Sequence, residues 1–260
     1  MSDFTRSRFE IGETAVTIAA DAEHQSHAID AIITARSCVK RHIANDPFFL
    51  TTFEPHECGR DASDIVRRMC AASRTVGVGP MAAVAGAIAQ AGLEAMIGNG
   101  CRHGWIDNGG DIALILEQPV TVEVYCEPDA LEAFALEVDT LGEILGVCSS
   151  SGRLGHSISL GDSDVSVAIA DSAVLADAAA TAIGNCARGK DDLVECFRPV
   201  KGVNGFVGGL VVLDGDVSMY GRVPRLVGVE HSSCLVTSHS AMSDMFEGEC
   251  HPHITRRVMN

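Results

Sequence analysis

The stretch from Cys148 to Asn185 holds the densest group of side chains suited to chemistry in this chain of 260 residues. It opens with three serines and a glycine, namely Ser149, Ser150, Ser151 and Gly152. Hydroxyl groups and unobstructed backbone N–H groups bind phosphate oxygens in anion-binding loops and at helix N-termini. We therefore expect this run to form a phosphate-binding loop; the alternative is an ordinary turn, where serine runs are also common.

An aspartate and a threonine further along the same stretch have the spacing of a shared binding site. Asp177 and Thr181 lie in an alanine-rich run that we predict to be a helix over 173–185. Residues four apart share one face of a helix, and Mg²⁺ prefers carboxylate and hydroxyl oxygens. The pair predicts a magnesium site, and the alternative is a solvated polar stripe on the helix surface.

His156 lies between the serine run and this predicted helix. An imidazole with an ordinary pKa of about 6.5 transfers protons near neutral pH. In phosphoryl chemistry His156 would therefore be the natural general base. The alternative is a histidine that is held only by structural hydrogen bonds.

Composition limits the class of protein and its partners. The chain has 47% hydrophobic residues and 26 glycines, which is ample for a buried core. Its net charge of −16 argues against nucleic acid or an anionic membrane as a partner, because phosphate backbones bind basic surfaces. A small nucleotide is compatible with this charge, since a local anion site or a metal offsets the overall field. The longest weakly polar stretch, 80–98, contains Gln90 and Glu94, so we expect no membrane span.

Ten cysteines are scattered without a CxxC pair, and the first residues lack the apolar stretch of a signal peptide. We therefore expect reduced thiols and a cytoplasmic protein. Two thiols have surroundings that lower a thiol pKa: Cys148 precedes the serine run, and Cys101 lies beside Arg102 and His103. Sulfur handling through a thiolate or persulfide at Cys148 or Cys101 is thus an alternative chemistry. The other interpretation is that both thiols are small buried hydrophobic residues, as free cysteines more often are.

Hydrophobic periodicity and turn signals predict the elements that position these residues. The predicted helices cover 29–43, 62–74, 80–98 and 173–185. The predicted strands cover 9–20, 105–107, 112–116, 120–125, 165–170, 206–214 and 217–220, while 131–138 is ambiguous. This mixed order favours a single compact α+β unit.

Two glycine-containing turns are candidate ligand contacts. The segment Asn108-Gly109-Gly110-Asp111 is either a simple hairpin turn or a strand break, where a ligand lies against bare backbone and contacts Asn108 or Asp111. Gly79 ends a turn that leads into the helix at 80–98, whose small residues suit either a flat ligand or close helix packing.

Four sequence blocks, in this order, resemble the uncharacterised branch of the ApbE superfamily: GVGPMAAVAGAIA, DNGGDI, CSSSGRLGHS and ADAAATAIGN. The better-known members are Mg²⁺-dependent FAD:protein FMN transferases, once linked to thiamine biosynthesis, with an α+β fold related to the tunnelling fold. The resemblance implies one such compact domain over 1–222 and a C-terminal extension or tail over 223–260. It also implies Mg²⁺ and FAD or FMN as cofactors.

The resemblance also implies roles for individual residues. In the transferases a GGD block, an SG…H block and an ADALAT-like block line the flavin nucleotide site, and the last block holds the metal. By that resemblance Asp177 and Thr181 are metal ligands and His156 is the site histidine. The nucleotide pocket includes the GGD residues, Gly109, Gly110 and Asp111.

The chain lacks two sequence features of the FMN transferases. Those enzymes carry a lysine followed by a glycine, with an aspartate further along, on the helix that corresponds to 80–98, and this chain has neither lysine nor aspartate there. It also lacks their histidine followed by Ile-Asp-Pro-x-Thr-Gly. FMN transfer, another phosphoryl transfer and a non-catalytic nucleotide-binding module therefore remain open. Tunnelling-like relatives bury sheet edges through pairing, which implies a homo-oligomer.

The C-terminal region is rich in histidine and cysteine, with His231, Cys234, His239, Cys250, His251 and His253. Such ends bind Zn²⁺ in some proteins. These spacings fit no standard tetrahedral site, so a polar tail is the favoured interpretation.

Overall fold

The computed structural model describes residues 3–124, 134–139, 141–151, 161–189, 193–228 and 253–255. The α-helices in these ranges are α1 (Ala22–Asn45), α2 (Phe48–Thr51), α3 (Asp64–Val76), α4 (Val84–Gly98) and α5 (Ala173–Cys186). Two 3₁₀ helices accompany them, Pro80–Ala83 directly before α4 and Glu195–Val200 after α5.

The strands make two antiparallel sheets. The larger sheet has the order β1-β2-β3-β4-β7-β8-β9-β10. Its members are β1 (Phe4–Ile11), β2 (Thr14–Asp21), β3 (Gly104–Asn108), β4 (Asp111–Leu116), β7 (Leu141–Ser150), β8 (Val165–Ala170), β9 (Phe206–Leu213) and β10 (Asp216–Gly221). The smaller sheet has the order β11-β6-β5-β12 and comprises β5 (Val120–Val124), β6 (Phe134–Val138), β11 (Arg225–Gly228) and β12 (His253–Thr255).

Three layers result, because the larger sheet is buried on both faces. One face packs under the helices and the other packs on the smaller sheet. Along β4, Ala113 and Ile115 belong to the helix-side core, while Ile112 and Leu114 belong to the core between the sheets. This alternation follows from the two-residue period of a strand. The side chain of Asp111, at the start of β4, has the parity of the helix-side residues.

Most predicted elements are confirmed. The helix predicted at 29–43 is part of α1, and those at 62–74 and 173–185 correspond to α3 and α5. The helix at 80–98 is present as the 3₁₀ helix and α4 in succession. The ambiguous segment 131–138 contains strand β6.

The strand predicted over 9–20 is wrong, because the structure has a hairpin there. β1 and β2 pair with each other in antiparallel fashion, with Phe9 opposite Val16. The reversal uses Gly12, whose φ of +57° is a left-handed conformation that glycine adopts without steric cost. The prediction took this glycine as an interior strand residue.

The predicted C-terminal extension contributes to the fold. Strand β11 pairs with β6, and β12 pairs with β5, so residues beyond 222 supply both outer strands of the smaller sheet. The structure thus departs from a domain that ends at residue 222.

The helical segment Pro80–Gly98 is long and apolar enough to cross a membrane by length and composition, and 50% of it is buried inside the protein. It packs against α1, α5 and the larger sheet. Core helices of folded domains have the same composition, so this property is weak evidence for a span.

Candidate functional site

The candidate site lies where α4 and α5 pack over the ends of β3, β4 and β7. A tight hairpin joins β3 to β4 through Gly109 and Gly110, whose φ values are +66° and +101°. Positive φ at both central positions is the requirement of a two-residue type I′ turn. The backbone N–H of Gly110 donates to Asp107 Oδ1 at 2.9 Å and closes the turn. The hairpin alternative is therefore confirmed for 108–111.

Helix α4 binds both the hairpin and α5 through its first turn. The Asn108 amide Nδ2 donates to the carbonyl oxygen of Ala85 at 3.0 Å. The next residue, Gly86, donates its backbone N–H to Asp177 Oδ2 at 2.8 Å. N–H groups in the first turn of a helix lack intrahelical partners and attract negative charge. One turn of α4 therefore fixes a sheet residue and the carboxylate of α5.

The two helices approach each other most closely at Gly86. A Cβ atom added there would lie 2.2 Å from the carbonyl oxygen of Ala173 and 2.8 Å from the Cβ of Asp177. Both distances are too short for carbon atoms in contact. The glycine is thus required for helix packing, which confirms that interpretation of the small residues at this position.

Gln90, one turn further along α4, holds the start of α5. Its Oε1 accepts hydrogen bonds from the backbone N–H groups of Ala173 at 2.8 Å and Val174 at 3.4 Å. The hydroxyl of Ser172 accepts from the N–H of Leu175 at 3.1 Å. These bonds satisfy donors that a helix leaves free at its N-terminus. The position of α5, and of Asp177 on it, is therefore fixed by side chains.

Asp177 and Thr181 lie inside the protein. Only 8% of Asp177 and 9% of Thr181 is exposed, so the solvated-stripe alternative is wrong. Burial raises the pKa of Asp177 to about 7, and hydrogen bonds from the N–H groups of Gly86 and Ala85 partly offset this increase. A carboxylate and a hydroxyl thus share one buried helix face.

A second buried carboxylate, Asp111, belongs to the same site. Burial raises its pKa well above the ordinary value, and the negative charge of Asp177 raises it further. The Cys148 thiol and the Ser149 backbone act in the opposite direction. The Oδ1 atom of Asp111 is buried and has no hydrogen-bond partner. The charge of Asp177 thus disfavours the ionised form of Asp111, and both carboxyl groups are buried where α5 packs on the sheet.

This oxygen-rich set suits a hard divalent cation. Carboxylate and hydroxyl oxygens from Asp111, Asp177 and Thr181 are the ligand types that Mg²⁺ prefers, and Mg²⁺ usually keeps several waters. Within the described ranges, no group of three or more His, Cys, Asp and Glu residues could hold a metal ion. A cation here would accordingly be bound by few protein ligands.

Comparison with known proteins gives the family. The family model described as AbpE bacteria matches residues 1–198. A UPF0280 protein of Methanocella arvoryzae is 42% identical over 221 residues, which covers 85% of this chain and 90% of that protein. A UPF0280 protein of Archaeoglobus fulgidus is 40% identical over 237 residues, with 89% and 98% covered. The chain belongs to this ApbE-like family.

A solved flavinyl transferase structure has a similar fold. The apo flavinyl transferase ApbE of Pseudomonas stutzeri matches with a TM-score of 0.54 over 84% of this chain and 94% of that chain. The sequence identity is 10%, so the likeness shows the fold alone. The predicted single α+β domain of ApbE type is confirmed, while its relation to the tunnelling fold stays a prediction.

In this ApbE-like chain the predicted serine loop is a strand over its first half. Ser149 and Ser150 end β7 and lie opposite Val167 and Ser166 of β8. The N–H of Ser149 donates to the carbonyl oxygen of Gly110 at 3.2 Å. Because this donor is already paired, the loop prediction is wrong for Ser149 and Ser150. Ser151 follows the strand, and Gly152 and His156 lie outside the described residues.

The two thiols are buried, contrary to the expectation of reactivity. Burial raises the pKa of the Cys148 thiol well above its ordinary value, and the charges of Asp111 and Asp177 raise it further. Burial also raises the pKa of the Cys101 thiol; the His103 backbone acts in the opposite direction, and the negative charges of Asp21 and Glu117 raise the pKa further. The expected lowering of either pKa is therefore wrong, and sulfur handling loses its physical basis.

The remaining predicted residues have structural explanations or lie outside the described ranges. A Cβ atom at Gly79 would lie 2.0 Å from the carbonyl oxygen of Thr52, so close backbone contact accounts for this glycine without a ligand. His253 begins β12, and the other C-terminal histidines and cysteines considered for zinc lie outside the described residues.

Gln90 is a site residue that the sequence analysis missed, and Gly86 was considered only as one of the small residues of the helix at 80–98. They lie four residues apart on one face of α4, and both contact α5. The available signal was Gln90 itself, a polar residue in an otherwise apolar helix. From the sequence alone, Gln90 argued only against a membrane span.

Proposed function

We propose that this ApbE-like protein binds a flavin nucleotide, FAD or FMN, through Mg²⁺ and acts on the pyrophosphate group of FAD. The main support is the buried carboxylate of Asp177. The backbone N–H of Gly86 donates to its Oδ2 at 2.8 Å, and the hydroxyl group of Thr181 lies on the same face of α5. The order of the ApbE-like sequence blocks and the family membership support the choice of a flavin nucleotide.

Asp177 and Thr181 would hold the cation in this proposal. Mg²⁺, when bound, supplies charge neutralisation for pyrophosphate oxygens. The chain's own part is preorganisation: Gly86 orients one oxygen of Asp177, and Gln90 fixes the helix that carries it. The β3–β4 hairpin, tied to α4 through Asn108, forms the sheet side of the pocket. Groups held in place before binding need no reorganisation during the reaction.

The proposed reaction cleaves the phosphoanhydride bond of FAD. The oxygen of water, or of a hydroxyl acceptor, forms a bond to the phosphorus of the FMN half. The bond from that phosphorus to the bridging oxygen breaks, and AMP leaves with the electron pair. The attacking oxygen releases a proton, for which we propose His156 as the acceptor. Hydrolysis yields FMN and AMP, and transfer to a hydroxyl yields an FMN ester and AMP.

Binding and turnover of FAD test this proposal. With Mg²⁺ present, the purified protein should bind FAD and release AMP, and EDTA should abolish both. Asp177→Asn keeps the shape of the side chain and removes its charge, so it should weaken Mg²⁺-dependent FAD binding by about tenfold or more. Asp30→Asn, a change of the same charge on the exposed face of α1, should leave binding unchanged.

Each other outcome has a definite meaning. Mg²⁺-dependent binding without AMP release would show that the protein is a non-catalytic flavin-binding module and not an enzyme that cleaves FAD. FAD binding that is equal in EDTA and Mg²⁺, or equal in Asp177→Asn and the unchanged protein, would contradict the metal-dependent site. Absence of FAD and FMN binding would exclude the flavin nucleotide as the ligand.

We propose a small-molecule partner and a cytoplasmic setting in which neither nucleic acid nor a membrane takes part. The support is the net charge of −16, which opposes binding to phosphate backbones and anionic lipids. A homo-oligomer is proposed on the basis of the resemblance alone.

A further inference from the structure

Asp111 occupies a position that its neighbours tie to Asp177 from two sides. It is the first residue of β4, opposite Asn108 in β3 and Cys148 in β7. Asn108 binds the carbonyl oxygen of Ala85, directly before the residue that binds Asp177. On the other side, the Cys148 thiol donates to the carbonyl oxygen of Ala173, one helical turn before Asp177, at 3.5 Å. Asp111 therefore lies beneath the junction of α4 and α5.

One oxygen of the Asp111 carboxyl group lacks the partner that its burial requires. Only 9% of the residue is exposed, and its buried Oδ1 accepts no hydrogen bond. An ionised carboxyl group in such a place is strongly destabilising unless it is paired. The charge that acts most strongly on it is the carboxylate of Asp177, which has the same sign. Two buried acidic groups, one of them with an unpaired oxygen, thus lie at the same helix–sheet junction.

No cationic side chain from the covering helices offsets these charges. The segment Pro80–Gly98 contains no lysine, arginine or histidine, and neither does α5. Among the residues that the structure describes, the charged groups that act on Asp111 are Asp177 and Asp107, both negative. The pair can be neutralised by a bound cation, by a proton, or by a side chain from outside the described ranges.

We infer that Asp111 is a ligand of the cation, and that one hard divalent ion bridges strand β4 to helix α5 through Asp111 and Asp177. This inference rests on the proposed function, because it concerns the same cation. It assigns to Asp111 a role that differs from the nucleotide contact implied by its GGD block. The cation would join the sheet to the helix layer, in addition to any part in substrate binding.

Direct metal binding and thermal unfolding of the full chain test the inference. Mn²⁺, which electron paramagnetic resonance detects, replaces Mg²⁺ as the probe. Asp111→Asn should weaken Mn²⁺ binding by at least about 100-fold, since even outer-shell partners of metal sites are worth 10–100-fold. In EDTA the same variant should unfold at a higher temperature than the unchanged protein, because it removes like-charge repulsion. Added Mg²⁺ should stabilise the unchanged protein and leave Asp111→Asn unaffected.

The opposite results would overturn the inference. Mn²⁺ affinity in Asp111→Asn equal to that of the unchanged protein would show that Asp111 is no ligand. A lower unfolding temperature in EDTA, or failure of the variant to fold, would show that Asp111 is already paired in the folded protein without a cation. Asp30→Asn is the matched control and should change neither measurement.

The result separates this inference from the proposed function. If Asp177→Asn loses Mn²⁺ while Asp111→Asn retains it, and FAD still binds, the proposed function stands and the bridging role fails. If both variants lose Mn²⁺ and the unchanged protein binds no flavin nucleotide, the bridging cation stands and the flavin function fails.

Discussion

The carboxyl group of Asp177 is subject to two opposing influences. Removal from water disfavours its charge, while the N–H groups of Gly86 and Ala85 favour it. Burial has the larger effect, since the pKa rises from 3.8 to about 7. In metal-free protein near neutral pH, Asp177 is therefore divided between its protonated and ionised forms. Proton and cation compete for the same oxygen atoms.

This pKa predicts how stability depends on pH in EDTA. The folded protein retains a proton on Asp177 up to about pH 7, whereas the unfolded chain loses it near pH 3.8. Stability is therefore highest below the unfolded pKa, falls as pH rises from about 4 to 7, and stays low above that range. The full effect is on the order of a few kcal/mol, because each pKa unit corresponds to about 1.4 kcal/mol.

Urea unfolding at a series of pH values measures this effect. Asp177→Asn cannot titrate, so the stability difference between this variant and the unchanged protein should grow in favour of the variant from pH 4 to 7. The free energy of unfolding of the Asp30→Asn variant should change with pH in the same way as that of the unchanged protein. A constant difference across the range for Asp177→Asn would contradict the raised pKa.

For single residues, the sequence showed which side chains could form the site, but it did not show whether they are buried. The spacing of Asp177 and Thr181 correctly placed both on one helix face. Burial was not readable from that spacing, because it depends on α4 and the sheet. The same limit explains the thiols: Arg102 is adjacent to Cys101 in sequence, but it points to solvent while Cys101 is buried.

Helix α4 acts as an element through its backbone and small residues. Ala85 and Gly86 contribute a carbonyl oxygen and an N–H to the site, and neither contributes a functional side chain. Gln90 continues the same face and reaches Glu94 at 2.9 Å, which in turn pairs with Arg68 of α3 at 2.6 Å. One face of α4 thus connects α3, α5 and the hairpin.

Two glycines of α4 provide a matched pair for testing this packing. Gly86→Ala should destabilise the fold by about 1–3 kcal/mol, the usual cost of overpacking, because the new methyl group meets the backbone of Ala173. Gly98→Ala, at the exposed end of the same helix, has no atom within 4 Å of the new methyl group. It should be neutral or stabilising by about 0.5 kcal/mol, since alanine is the better helix former.

Urea unfolding of the two variants gives the free energies of unfolding. Gly86→Ala should also weaken Mg²⁺-dependent FAD binding, because the displaced helix takes Asp177 with it, whereas Gly98→Ala should bind normally. Equal stabilities for the two variants would contradict the close helix contact at Gly86.

Elements with strong local signals were predicted well, and the missed ones depend on distant contacts. Helix α5 follows from an alanine-rich run, and strand β8 follows from a short run rich in valine and isoleucine. Strand β7 was missed because its residues include Gly146 and three polar or small residues at its end, a composition typical of turns. Gly146 is small for a tertiary reason: an added Cβ would lie 2.4 Å from the Cα of Ala173.

The whole molecule is a sheet of eight strands held between helices and a second sheet. The second sheet buries apolar side chains of β4, β8 and β9 that would otherwise face solvent. Its outer strands come from beyond residue 222, so the layer is completed by chain segments far apart in sequence. A domain boundary drawn from sequence resemblance alone did not include this contribution.

Truncation tests the contribution of the C-terminal strands. A chain that ends at residue 222 loses β11 and β12 and leaves β5 and β6 as an isolated pair, which is marginally stable by itself. Its unfolding temperature should fall by about 5 °C or more, since 1 kcal/mol corresponds to about 2–4 °C at this size. A chain that ends at residue 228 retains β11, so its unfolding temperature should lie between those of the full chain and the chain that ends at residue 222. An unfolding temperature equal to that of the full chain would place the extension outside the cooperative fold.

The backbone of Ala173 is contacted by α4 and β7 at once, through Gly86 on one side and Gly146 on the other. A larger residue at either glycine would displace this same backbone segment, so the two positions are restricted together. The closest approach of α5 to its neighbours is therefore set by two positions that lack a side chain. We expect both glycines to persist in relatives that keep the same helix spacing.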